Sequence, residues 1–93
     1  RTTQKQIERT LEILVKLIAR HDPTAHMATA WDDTGGYGLD YASVYGGYLV
    51  YCISSAAGGE NHPFGIARRP ANEMWYTLHF AVRVAELLTP PVA

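Results

Sequence analysis

An α+β fold is what this 93-residue chain predicts: order α-β-β-β-α, with both helices packed on one face of a small antiparallel sheet. Two observations mark the ends, where apolar residues recur at the 3,4 spacing of a helical face. A third marks the middle, where the period shortens and Tyr, Gly and turn residues take over. With 47% hydrophobic and 18% charged residues the chain has the profile of a folded domain, and its length allows one core and not two. The reading is a single domain over 1–93: helix 3–20, β-meander 25–67, helix 70–88.

At the first helix, Thr3 followed three residues later by Gln6 forms a capping-box pattern. Ile7, Leu11, Leu14, Val15 and Ile18 then fall on one face, widened by Ile13 and Leu17, and Pro23 bars helical geometry at Asp22. Residues 25–31 alternate and end in Asp32-Asp33-Thr34-Gly35-Gly36, a strand followed by a turn. Residues 37–45 fit either a second strand or an aromatic loop. Tyr45-Gly46-Gly47-Tyr48 leads into Leu49-Val50-Tyr51-Cys52-Ile53, the strongest strand signal, and residues 64–67 suit a short returning strand after a Gly-rich turn. Pro70 suits a first helical turn; Met74, Leu78, Ala81, Val82, Ala85 and Leu88 share a face behind it, and Pro90-Pro91 ends the pattern.

Charge is distributed unevenly. Residues 23–67 contain no Lys or Arg but carry Asp32, Asp33, Asp40 and Glu60. A phosphate backbone needs cations to replace its counterions, so the meander is a poor surface for nucleic acid. The lone Cys52 removes an intramolecular disulfide and predicts a reducing, cytoplasmic setting, with the thiol acting as a small hydrophobe in a strand. No apolar run is long enough for a membrane span, and no secretory leader is read at the start.

Polar motifs point away from catalysis. His21, Asp22 and His26 lack the helical spacing of a zinc pair, Asp32-Asp33 lacks the alternating ligands of a calcium loop, and no Gly pair matches a phosphate-binding loop. Ser43, Ser54 and Ser55 lack a nucleophile elbow. No metal, cofactor or enzymatic activity is expected. Trp31, Tyr37, Tyr41, Tyr45, Tyr48 and Tyr51 crowd one short region, more rings than one sheet face buries; those left outside suit a protein partner. Arg68-Arg69 stands at a helix N-terminus, where its charge opposes the dipole; solvated or paired with Glu73 it is structural, and otherwise it suits an anion held together with the free helix N–H groups, with Asn61 and His62 in the preceding loop.

The order α-β-β-β-α with Arg68-Arg69 ahead of the last helix resembles a double-stranded RNA-binding domain. That family has several Lys at its second helix and a Gly-Pro-x-His loop between its first strands, where this chain has Arg68, Arg69, Pro70, Ala71 and Asn72 and no such loop. A second resemblance spans residues 45–80: Tyr45-Gly46-Gly47-Tyr48, an apolar strand, Gly58-Gly59, Phe64-Gly65 and Arg68-Arg69-Pro70-Ala71-x-Glu73-Met74. It is similar to small uncharacterised proteins of bacteriophages and mobile elements, which implies an accessory protein acting on a host protein. The expectation is therefore a non-enzymatic protein-binding module using Tyr45, Tyr48, Asn61, His62, Arg68 and Arg69, with a homodimer through an exposed strand open to it. The alternative is a nucleic-acid-binding module using the cations of helix 1 with Arg68 and Arg69.

Overall fold

A computed structural model describes residues 1–90 of the chain. Helix α1 covers Gln4–Ile18, and its start is the expected capping box: the Gln6 amide donates to Thr3 Oγ1 at 3.3 Å, while the Thr3 amide donates to Gln6 Oε1 at 2.8 Å. Ile7, Leu11, Leu14 and Val15 are buried on its inner face; Ile13, expected to widen that face, points outward. Helix α2 covers Ala71–Leu88 behind Pro70, with Glu73 in its first turn, and buries Met74, Leu78 and Val82. The expected stop at Pro90-Pro91 falls partly outside the described residues.

The helices lie side by side and point the same way. Arg1 and Thr2 share a groove with Ala71 and Asn72 at their starts. Arg20 Nη1 donates to the Pro90 carbonyl at 3.3 Å, and His21 Nε2 lies 3.0 Å from Thr89 Oγ1, at their ends. Two parallel helices need a return path of full length between them, and the sheet supplies it.

The sheet has four strands in the order β1-β2-β3-β4: β1 His26–Met27, β2 Gly36–Ala42, β3 Gly47–Ile53 and β4 Glu60–Asn61. Residues 37–42 are thus strand, and a 3-10 turn, Ser43–Tyr45, links β2 to β3. That hairpin is antiparallel, with Tyr37 opposite Cys52 and Ala42 opposite Gly47. The α+β order holds, but the sheet is mixed rather than antiparallel, because β1 pairs with β2 in parallel, His26 opposite Gly36. A strand of two residues permits this. Where residues 25–31 alternate in sequence, the chain leaves the sheet after Met27 and folds back around the Asp33 carboxylate, which accepts from the Thr29 amide and hydroxyl and from His26 Nε2.

The returning strand also differs from expectation. Pairing with β3 is made by Glu60 and Asn61, not by residues 64–67, which turn at Gly65. Farther along, Tyr48 and Arg69 exchange both backbone hydrogen bonds, at 2.8 and 3.0 Å, so β3 is held at each end by a different piece of the same connection.

Strand alternation sorts the aromatic residues. Tyr37, Leu39, Tyr48 and Val50 face both helices and join their buried side chains in one cluster. Ile53, of opposite parity, is also buried but lies outside that cluster. The Tyr51 ring lies across Gly38 on that second face, where a β-carbon would collide with it.

Candidate functional site

The six residues singled out from sequence separate into two groups. Tyr45, Tyr48, Arg68 and Arg69 gather at the end of the sheet where the 3-10 turn, the start of β3 and the start of α2 meet. Asn61 and His62 lie at the other end: Asn61 pairs with Cys52, four residues along β3 from Tyr48, or about 13 Å at the rise of a strand. His62 Nε2 there is 3.4 Å from Glu60 Oε1.

At the first end, three of the four side chains do not project freely. Tyr48 is only 7% exposed and packs against Tyr41 with ring centroids 4.7 Å apart. Burial, then the neighbouring Tyr41 and Glu8, push its phenol above the ordinary value, so it stays neutral. Arg68 forms an ion pair with Asp40 and donates to the Gly47 carbonyl at 3.1 Å. Arg69 reaches the Phe64 carbonyl at 3.1 Å. The paired arginines are thus clamps that fasten the connection before α2 onto the hairpin, through Asp40 rather than the expected Glu73. Gly47 permits the close approach: its φ is +118°, and a β-carbon there would collide with the Arg69 carbonyl.

Tyr45 alone of the six is a large, widely exposed aromatic, at 77%; of its exposed neighbours, Tyr41 entered the sequence reading only within the crowded aromatic set and Val44 not at all. Val44 is 86% exposed, and Tyr41 53%. Period-two alternation was the available signal: it puts Tyr41 beside Tyr48, at a strand end where the helices no longer cover it. Below them an open groove of about 710 Å³ is lined by Tyr41, Ser43, Gly46, Tyr48, Pro70 and the start of α1. No His, Cys, Asp or Glu lines it among the described residues.

The histidines and Cys52 lie outside this groove. His26 Nδ1 is 2.7 Å from the Thr24 carbonyl and Nε2 is 2.8 Å from Asp33 Oδ1. Both partners accept hydrogen bonds, an arrangement that favours the protonated ring. The Thr24 carbonyl and then the Asp33 carboxylate hold its pKa above the ordinary value; the Thr29 amide and then His26 hold Asp33 below its own. His21 meets Thr89, and His79 stacks on Trp75 with centroids 4.9 Å apart. Cys52 is half-buried beside Tyr37, whose phenol is pushed up by burial and then by that thiol. Among the described residues no three His, Cys, Asp or Glu side chains are grouped to hold a metal ion, and no helix is long and apolar enough to cross a membrane.

Comparison with protein-family models, with curated proteins and with solved structures gives no match to this chain.

Proposed function

We propose that the chain is a non-enzymatic protein-binding module whose contact surface is the corner formed by Tyr41, Val44 and Tyr45 beside the Arg68–Asp40 pair. The observation that carries this reading is wide exposure on backbone that is tied down. Tyr45 and Val44 sit on a turn flanked by the β2–β3 ladder, while Arg68 holds the Gly47 carbonyl and Asp40. Exposed Tyr on a rigid support contributes contact area with little conformational entropy to lose, the property that marks interface hot spots. The partner sought is a protein, and the likeness to phage and mobile-element proteins directs the search to a host component.

Arg68 and Arg69, which the nucleic-acid reading combines with the cations of α1, are engaged with Asp40 and with backbone carbonyls, which disfavours their part in that alternative. Affinity capture with the wild-type chain and with a Val44→Ala, Tyr45→Ala double variant tests the proposal. A protein retained by the wild type should be lost from the variant, by tenfold or more for a hot-spot aromatic, with unchanged circular dichroism. Equal retention by both removes this corner as the contact. Salt-sensitive retention on duplex RNA or DNA that falls with Arg68→Ala and Arg69→Ala would replace the proposal with the nucleic-acid reading.

A further inference from the structure

Helix α2 carries a second apolar face. Opposite Met74, Leu78 and Val82, the side chains of Tyr76, Phe80, Val84 and Leu87 follow one another four, four and three residues apart, with Leu88 at the end. They are not covered: Tyr76 is 65% exposed, Phe80 71% and Leu87 86%. A helix packed on one side needs one apolar stripe, and contiguous exposed apolar surface on a second side marks an interaction site.

The charges beside this stripe indicate what covers it. Glu73 lies three residues before Tyr76, and Arg83 lies three residues after Phe80, both exposed on the same outward face. Among the described residues neither side chain takes part in an ion pair. Turning the helix end for end exchanges Tyr76 with Phe80 and Glu73 with Arg83. At these four positions the pattern is therefore complementary to its own reverse. Two copies related by a two-fold axis between Tyr76 and Phe80 would place Tyr76 against the other copy's Phe80 and Glu73 against its Arg83, each contact occurring twice. In that register Val84 falls opposite Asn72 at the start of the other α2, and Leu87 opposite Arg69 just before it.

We infer that this chain forms a symmetric homodimer through the outward face of α2, two helices crossing antiparallel with Tyr76 and Phe80 at the centre and reciprocal Glu73–Arg83 pairs at the flanks. The inference stands on α2 alone and does not depend on the protein-binding corner, which would remain free on each copy. From the exposed fractions, the stripe offers roughly 400–500 Å² per copy, taking about 150–250 Å² for a whole aromatic side chain. A pair would bury about 800–1,000 Å² in total, below the standard range for a stable interface and in the class of weak, transient contacts. A contact of that size fits a weak dimer that forms with rising concentration.

Sedimentation equilibrium of the full chain over a concentration series tests it, with Phe80→Glu, Phe80→Ser, Glu73→Arg, Arg83→Glu and the charge-swapped double variant alongside. Each altered side chain is exposed, so circular dichroism should match the wild type throughout. The wild type is expected to pass from monomer to dimer as concentration rises, and both Phe80 variants to remain monomeric. Each single charge reversal should raise the dissociation constant roughly tenfold, since it breaks two symmetry-related pairs and sets like charges together. The double reversal should restore most of the loss. A wild type that stays monomeric up to about 1 mM, a dimer indifferent to Phe80, or a double variant no tighter than the single ones would each overturn the inference.

Discussion

Helices α1 and α2 lie side by side over the same core, yet their outward faces differ. Helix α1 presents Lys5, Glu8, Arg9, Glu12 and Lys16 to water, with Ile13 alone among them; α2 presents Tyr76, Phe80, Val84 and Leu87. The inner faces are alike in character, with Leu11 and Leu78 both fully buried in one cluster. Burial of an inner stripe accounts for why each segment is a helix, but only in α1 does it account for the whole sequence. The surplus apolar face of α2 needs a reason outside the monomer.

The comparison can be broken at its strongest point first. If one shared core holds both helices, Leu11→Ala and Leu78→Ala should each lower unfolding free energy by about 2–5 kcal/mol in denaturant titrations. A large cost at one and a negligible cost at the other would mean that one helix is merely attached. Next in size is the fastening of the connection to the hairpin. Gly47→Ala should cost about 1–3 kcal/mol, because alanine resists positive φ and its β-carbon meets the Arg69 carbonyl. Thr3→Ala should follow at about 1 kcal/mol, since it removes the cap of α1; no side chain caps α2. Phe80→Ala on the outward face should change monomer stability by no more than about 0.5 kcal/mol. The same holds for Lys16→Ala, but the Phe80 change alone should alter self-association.

The smallest expected effect is that of pH on the β1–β2 turn. His26 is held above its ordinary value of 6.5, so the stabilisation from its protonated form is complete below that value and fades as pH rises through the higher folded value. Asp33 is held below 3.8, so its contribution is complete above that value and fades as pH falls through the lower folded one. Melting temperatures of the wild type and of Asp33→Asn should therefore differ most between about pH 4 and 6.5, narrow as pH rises and the His26 part is lost while the Thr29 part remains, and converge as Asp33 is protonated at low pH. A difference independent of pH would separate the turn from this pair.

How much of this was legible in the sequence follows from how local each determinant is. Both helices could be read to within two residues at each end, because the capping box, the 3,4 spacing and the prolines act within a turn or two. Strand β3 was legible as an apolar run. The parallel pairing of β1 was not, since it depends on Asp33 gathering groups from Thr29 and His26, which no periodicity records. The roles of Arg68 and Tyr48 were hidden for a similar reason. Asp40 is 28 residues from Arg68, and Tyr48 differs from Tyr45 in burial because a turn, rather than a continued strand, separates them. The stripe on α2 was visible in the letters, but a search for the core face passes over a second one.

Dilution followed by NMR tests the central claim, that the outward face of α2 and not that of α1 is built to be covered. Between roughly 1 mM and 10 µM, resonances of Tyr76, Phe80, Val84 and Leu87 should move together, while those of Lys5, Glu12, Val44 and Tyr45 stay fixed. Spectra unchanged across that range, or movement confined to α1 or to the Tyr45 corner, would contradict it.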